Sequence, residues 1–143
     1  MKTIFVLLTL LISLTAGPVI AQDRPALTIA SFSVRPASGK EEALIGEDAI
    51  MEFEYANVAG GLARSTVEVE FCVVGTTICR PSSDWRLIEA DLAKYPEESA
   101  KVTLRRRTTG TRKQDLVYEL RITDAQGRKA SRKTTEPLRL RIP

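Results

Sequence analysis

The residues with the most scope for chemistry are the two cysteines of the segment CVVGTTIC, Cys72 and Cys79. They are the only cysteines in the chain, which has no histidine. A zinc site needs about four ligands, and a redox pair of the C-x-x-C type is spaced more closely. The residues between the cysteines include Gly75, which suits a turn. We therefore predict a structural disulfide between Cys72 and Cys79, with no metal and no cofactor.

Candidates for catalysis are few. Because histidine is absent, there can be no Ser-His-Asp or Cys-His arrangement, and the sequence has neither a Gly-rich phosphate loop nor a nucleophile elbow. Adjacent carboxylates such as Glu97 and Glu98 could transfer protons, but carboxylates on strands and loops usually form solvated surface. Asp124 begins an Asp-x-x-Gly turn that ends at Gly127, where the carboxylate more often shapes the turn than binds calcium. The sequence predicts no catalytic residues and a protein that is not an enzyme.

The N-terminal segment, MKTIFVLLTLLISLTAGPVIAQ, indicates the compartment. It has a basic start at Lys2, an apolar run over residues 4–14 and a V-x-A sequence that ends at Ala21. These are the three parts of a secretory signal peptide. We predict that residues 1–21 are removed and that residues 22–143 form one exported domain, periplasmic or secreted. In an oxidising compartment the cysteines are expected to pair.

Two alternatives remain for this leader, which are cleavage after Ala16 and an uncleaved membrane anchor. A membrane-spanning helix needs about 20 apolar residues, whereas this run is shorter and is interrupted by Gly17 and Pro18. No cysteine that could carry a lipid follows the cleavage site. No second long apolar stretch appears in the sequence, so we expect that the mature chain does not span the membrane.

Alternation of apolar and polar residues recurs through the mature chain and predicts strands with one buried face. In AIMEFEY, Met51, Phe53 and Tyr55 alternate with Glu52 and Glu54. The same pattern occurs in the segments TVEVEFCV, KVTLRRR, LVYELRITD and PLRLRIP. We therefore predict an all-β fold, a single antiparallel β-sandwich of about seven strands.

Two segments depart from simple alternation. In LTIASFSV, Ile29 and Phe32 are both apolar but fall on opposite parities. This change of phase predicts a bulge or bend at residues 30–31, where the strand could pass from one sheet to the other. Residues 84–95 have helix-like spacing and predict one short helix or folded loop, in which Trp85 fills one side of the core.

The segments SFSVRP, GEDAIMEFEYAN and YELRITDAQGRKAS resemble those of bacterial immunoglobulin-like and fibronectin-III-like domains of exported proteins. Such domains typically open with a strand that ends in proline, here Pro36. They also carry a tyrosine-containing strand that runs into an Asp-x-x-Gly turn, here from Tyr118 to Gly127. The resemblance implies an immunoglobulin-like sandwich that acts as a spacer, adhesion module or protein-binding unit. The chain departs from the antibody type, because no cysteine pair bridges the two sheets.

Charge is divided unevenly along the mature chain. Residues 22–100 contain 7 Lys and Arg against 14 Asp and Glu, whereas residues 101–143 contain 13 against 4. Immunoglobulin topology would place the acidic strands of this chain beside its basic strands. Opposite charges on neighbouring strands stabilise a sheet. The expected neighbours are Glu52 and Glu54 with Arg105 and Arg107, and Glu68 and Glu70 with Arg121, beyond which lie Arg139 and Arg141.

Several cations are left outside this pairing, and the densest group is the segment RKASRK. Its residues Arg128, Lys129, Arg132 and Lys133 are candidate anion-binding or partner-binding residues. As a basic turn at residues 128–133, the segment could bind polyanionic glycan, lipid headgroups or an acidic protein face. Nucleic acid is not expected as a partner, because the protein is exported and the segment contains no aromatic residue.

The sequence therefore predicts an exported, non-catalytic module that docks to another envelope or secreted protein through an edge strand or a loop end. One alternative is a polyanion-binding module that uses the basic turn 128–133, and another is a structural spacer subunit of an extracellular assembly. Salt distinguishes the first two possibilities. Polyanion binding weakens steeply as ionic strength rises, whereas an edge-strand contact changes little.

Overall fold

Two packed β-sheets make up the structure, which is a computed structural model that describes residues 24–143. The predicted signal peptide, residues 1–21, lies outside the described residues. Within them the chain forms nine strands and one short α-helix. The strands are β1 (Thr28–Pro36), β2 (Glu42–Leu44), β3 (Asp48–Ala56), β4 (Thr66–Val73), β5 (Cys79–Pro81), β6 (Ala100–Arg107), β7 (Gln114–Thr123), β8 (Lys129–Lys133) and β9 (Leu138–Arg141).

The strand order confirms the predicted all-β sandwich. One sheet has three antiparallel strands in the order β1-β3-β6, and the other has the order β2-β9-β7-β4-β5, with β8 also paired to β7. As expected, β3 lies beside β6, and β7 lies between β4 and β9. The strands number nine rather than about seven. The strands β2 and β5 have three residues each, too few for alternation to be recognised, and β8 lacks an apolar period.

Alternating side chains on facing strands form the core. Met51, Phe53 and Tyr55 of β3 are buried, and the glutamates between them point away from the core. On the opposite sheet, Leu120 and Ile122 of β7 are fully buried. The pleat of a strand directs successive side chains to opposite faces, so one apolar residue in two is enough to supply a continuous core.

The first strand contains the predicted bulge. The register between β1 and β3 shifts between Ile29 and Ser31. The extra residue allows Ile29 and Phe32 to face the core together, although they differ in parity. The strand stays paired with β3 on both sides of the bulge, so the expectation that it could pass to the other sheet was wrong. Pairing with a single long neighbour holds both halves in one sheet.

The connection between β5 and β6 is a folded loop that contains one short helix, α1 (Glu89–Leu92), as predicted for residues 84–95. Trp85 precedes the helix and is only 1% exposed. Its side chain belongs to the same hydrophobic cluster as the core residues of both sheets. Burying so large a side chain makes this loop part of the core, as the sequence predicts.

Arg106 of β6 holds this loop against the three-stranded sheet. Its Nη1 donates to the carbonyl oxygens of Asp84 and Arg86, at 3.0 and 2.7 Å. Its Nη2 donates to the carboxylate of Asp91 at 3.0 Å. One guanidinium therefore fixes both ends of the segment that runs from Asp84 into the helix.

Candidate functional site

The two cysteines lie on a hairpin and form the predicted disulfide. Cys72 of β4 and Cys79 of β5 are direct partners in the strand register, and their Cα atoms are 4.2 Å apart. Gly75 in the intervening turn has a φ of 81°, a conformation that favours glycine. Because the bond uses both sulfurs, neither cysteine is a free nucleophile or metal ligand. A disulfide of this kind is typical of proteins from non-reducing, exported environments.

The segment RKASRK is mostly a strand rather than the expected turn. Strand β8 pairs with β7 from Lys129 to Lys133, and the turn between them contains Asp124 to Arg128. Ala130 packs against the core. The basic residues therefore project from a paired strand and from the end of a tight turn, so they have different surroundings.

Arg128 joins three separate parts of the chain. Its Nη1 donates to the Pro25 carbonyl at 2.9 Å, and its Nη2 donates to the Asn57 carbonyl at 2.6 Å. Its Nε donates to the carboxylate of Asp124 at 3.0 Å. A guanidinium has five N–H donors, and at least three are engaged inside the fold. Arg128 thus connects the chain before β1 and the segment after β3 to the β7–β8 turn.

Asp124 is the acceptor at the centre of this arrangement, and its side chain is fully buried. Its carboxylate accepts the backbone N–H groups of Ala59, Gln126 and Arg128 as well as the Arg128 guanidinium. Burial by itself raises the pKa of Asp124, but these hydrogen bonds outweigh burial and hold the pKa below its ordinary value. The carboxylate shapes the turn, as the sequence predicts for an Asp-x-x-Gly segment.

Arg132 also donates to the main chain. Its Nη1 lies 3.2 Å from the carbonyl oxygen of Ile29, at the bulge of β1. Lys129 and Lys133 are exposed. Of the four predicted candidate residues, Arg128 is held within the fold, whereas Lys129, Arg132 and Lys133 are exposed, although Arg132 also donates to the main chain of β1.

The outer face of the six-stranded sheet carries paired charges. Arg121 lies 3.1 Å from both Glu70 and Glu119, which confirms the predicted contact between β4 and β7. Arg141 lies 3.0 Å from Glu42 and 2.9 Å from Asp115. This face is therefore a network of exposed or half-exposed ion pairs, each of which contributes little stability on its own.

Pairing on the three-stranded sheet differs in register from the expectation. Arg105 of β6 contacts Asp48 of β3 at 2.8 Å, and it does not contact Glu52. Glu52 instead pairs with Arg35 of β1 at 3.2 Å. In the strand register Glu52 lies opposite Thr103. The predicted strands are neighbours, but the predicted pairing of Glu52 and Glu54 with Arg105 and Arg107 was wrong. The register places Lys101 opposite Glu54, and Asp48 opposite Arg107.

The β6 strand is an open edge of the three-stranded sheet. It has eight residues, and it pairs with β3 along its whole length. Within residues 24–143, no backbone hydrogen bond joins β6 to any segment other than β3. Every second residue of such an edge strand directs its N–H and C=O groups outward. This edge therefore offers main-chain donors and acceptors that have no backbone partner within residues 24–143.

The β1 strand is the other edge of the same sheet, and it is covered. It lies against β8 of the opposite sheet, and Arg132 caps the Ile29 carbonyl at its bulge. The strand ends in Pro36, which has no N–H to offer. A bulge, a capped carbonyl and a proline are features that prevent another strand from pairing. Among the edge strands of the six-stranded sheet, β2 and β5 offer only three residues each. The five-residue β8, which pairs only with β7, lies against β1.

A small cleft of about 200 Å³ lies between the loop after β5 and the loop after β6. Tyr118 and Asp84 line it, but both oxygens of Asp84 already accept hydrogen bonds from Thr109. Burial raises the pKa of Tyr118, and this effect outweighs that of the neighbouring Trp85 side chain, which lowers it. The buried indole N–H of Trp85 has no partner with hydrogen-bonding geometry in the described part of the chain. The Asp84 carboxylate thus joins the loop after β5 to the loop after β6.

Comparison with known proteins gives no assignment, because neither the family models nor the curated proteins yield a match to this chain. Within residues 24–143, no helix has the length and apolar character of a membrane span. The same part of the chain contains no cluster of three or more acidic, cysteine or histidine residues placed to hold a metal ion.

Proposed function

We propose that the mature chain is an exported, non-catalytic module of the immunoglobulin-like type, which docks to another envelope or secreted protein by accepting a strand of that protein at β6. The observation that carries the proposal is the open edge of β6, eight residues long and without a second backbone partner in the described residues. Strand addition is a common mode of recognition, in which main-chain hydrogen bonds supply affinity and side chains supply specificity.

A hydrogen bond at the end of β6 determines which of its backbone N–H groups point away from β3. The N–H of Thr108 donates to the Glu47 carbonyl at 2.9 Å, and the register is unbroken from there along β6. Hydrogen-bonded residues alternate in an antiparallel pair. The N–H groups of Lys101, Thr103 and Arg105 therefore point away from β3, toward the position of an added strand.

Export is supported by the disulfide and by the leader. The Cys72–Cys79 bond suits an oxidising compartment, and residues 1–21 have the composition of a signal peptide. The working location of the module is the periplasm or the space outside the cell. A partner that meets it there is itself an envelope or secreted protein.

Polyanion binding at Lys129 and Lys133 is the second candidate function. The observation that favours it is the exposure of both lysines on β8. It is the weaker candidate because the Arg128 guanidinium is already engaged by Asp124 and by two carbonyl oxygens within the fold. A site in which one of the four cations is neutralised by a buried carboxylate, that of Asp124, attracts a polyanion less strongly. A spacer subunit of a larger assembly is the third possibility, and it would have no free ligand.

The test is capture of a partner by two variants of one residue. Thr103→Pro removes an outward N–H from β6 while keeping every bond to β3, a position where edge strands tolerate proline. Thr103→Ala is the matched control, because it loses the same side chain and keeps the N–H. The immobilised mature chain is exposed to envelope and secreted fractions of the source organism, and bound material is eluted in a salt gradient and identified by mass spectrometry.

We expect one protein that resists high salt to bind the unmodified chain and Thr103→Ala but not Thr103→Pro. If glycan or lipid elutes at modest salt, and if Lys129→Ala and Lys133→Ala abolish its binding, the polyanion function would replace docking. An empty column for every variant would contradict docking and leave the spacer function. Circular dichroism of each variant shows that the fold is retained before binding is compared.

A further inference from the structure

The outer side chains of β6 are rich in positive charge. Lys101, Thr103, Arg105 and Arg107 alternate along the strand and are all exposed. Side chains directly opposite each other on neighbouring strands have Cβ atoms about 4.5–5.5 Å apart. A strand added at this edge would therefore place its own outer side chains next to three cations and one hydroxyl.

These cations are only partly neutralised by the sheet itself. Arg105 contacts Asp48 of β3, but its side chain remains 65% exposed. Lys101 and Arg107 have no carboxylate within 4.0 Å in residues 24–143, although they lie opposite Glu54 and Asp48 in the register. Exposed pairs of this kind are weak, so the three side chains can turn toward a new neighbour at little cost.

The same charges disfavour a second copy of this chain as the partner. An antiparallel pairing of two β6 strands that aligns the outer faces of the sheets places Lys101 of one copy opposite Arg105 or Arg107 of the other. Like charges directly opposite each other destabilise a sheet. Basic side chains on an edge strand are a common protection against self-association. The edge is thus open to another strand but repels its own copy.

We infer that the segment received by β6 is an extended strand of another protein with carboxylates at alternate positions. This inference rests on the proposed docking function and specifies the partner. Backbone hydrogen bonds would pair the partner with the outward groups of Thr103 and its neighbours, and acidic side chains would lie beside Lys101, Arg105 and Arg107. The residues between the carboxylates would face the loop that Arg106 holds in place.

The test compares two synthetic peptides of equal length. One has Glu at alternate positions with Thr or Val between them, and the other has Lys in place of every Glu. Binding to the mature chain is measured by NMR chemical-shift titration, which detects weak affinities. We expect the Glu peptide to bind about tenfold more tightly at low salt, because several cross-strand pairs change from repulsive to attractive. The difference should shrink as salt is added.

A charge-reversed edge provides the matched comparison. The double variant Lys101→Glu with Arg107→Glu changes two exposed residues of β6, and we expect it to lose the preference for the Glu peptide or to reverse it. The control, Lys113→Glu with Arg139→Glu, makes the same change in net charge at exposed residues outside β6. This control should keep the preference of the unmodified chain.

Failure of this inference can be told apart from failure of the docking function. Equal affinity for the two peptides, no binding of either, or an unchanged preference in the β6 variant would overturn the acidic partner. Docking would still stand if Thr103→Pro abolished the capture of a protein that Thr103→Ala retained. If the Glu peptide is not preferred and Thr103→Pro still captures the same protein as Thr103→Ala, both the acidic partner and the docking function would be overturned.

Discussion

The two edges of the three-stranded sheet are similar in length but opposite in design. Along β1 the strand is bulged, ends in proline and lies against β8 with a guanidinium on its Ile29 carbonyl. Along β6 the strand is regular, and no backbone partner other than β3 reaches it within residues 24–143. Natural sheets usually protect their edges. Arginine therefore has different roles at the two edges. Arg132 donates to a carbonyl of the covered edge, whereas Arg105 and Arg107 extend from the open edge into solvent.

The largest expected effect comes from substituting Asp124, the buried acceptor in the β7–β8 turn. Asp124→Ala removes a buried acceptor of three backbone N–H groups and of Arg128, and leaves those donors unsatisfied. We expect a loss of about 3 kcal/mol in the free energy of unfolding, measured by urea denaturation. A loss below about 0.5 kcal/mol would contradict the role of Asp124 in this side of the fold.

Acid should weaken the same interaction. The pKa of Asp124 is lower in the folded protein than its ordinary value of about 3.9. Its contribution to stability is therefore fully present above that ordinary value and is lost as pH falls through the lower, folded value. We expect the free energy of unfolding of the native chain to drop more between neutral and acidic pH than that of Asp124→Asn. Parallel pH profiles for the two proteins would refute this contribution.

Removing the disulfide is the next largest change. The double variant Cys72→Ser with Cys79→Ser opens a short loop, and the chain-entropy model gives a loss of about 2.5 kcal/mol for a loop of this size. We expect a lower melting temperature by calorimetry, with the sandwich retained. The unmodified protein should lose two hydrogens in intact mass relative to its reduced form. Two free thiols in exported protein would disprove the bond.

A smaller effect distinguishes the two edges directly. Arg132→Ala removes the donor to the Ile29 carbonyl of the covered edge, and we expect a loss of about 1 kcal/mol in the free energy of unfolding. Arg107→Ala removes an exposed cation from the open edge, and we expect a change within about 0.5 kcal/mol. Equal losses for the two variants would show that the edges do not differ in the way proposed.

Much of the fold follows from the sequence because a strand has a period of two. The alternation in AIMEFEY and TVEVEFCV locates β3 and β4, and the change of phase after Ile29 locates the bulge. Three-residue strands are too short to show a period, so β2 and β5 could not be foreseen. The strand β8 forms because β7 is long enough to pair with it beyond the end of β9.

The site was less predictable, because it depends on contacts between residues far apart in the chain. The local sequence of RKASRK shows only its charge, whereas the partners of Arg128 include carbonyl groups of Pro25 and Asn57. The pairing of Arg105 with Asp48 depends on the register of β3 against β6, and alternation fixes the face of a residue but not its opposite number. An open edge is a property of the whole sheet order, which no single segment encodes.

The proposed docking function requires that β6 receives a strand from a partner. The most direct measurement is hydrogen–deuterium exchange of the mature chain with and without saturating Glu peptide. We expect the outward amides of Lys101, Thr103 and Arg105 to exchange rapidly in the free chain and to slow down when the peptide binds, while exchange in β1 is unchanged. Slowing confined to Lys129–Lys133, or no slowing in β6, would contradict it.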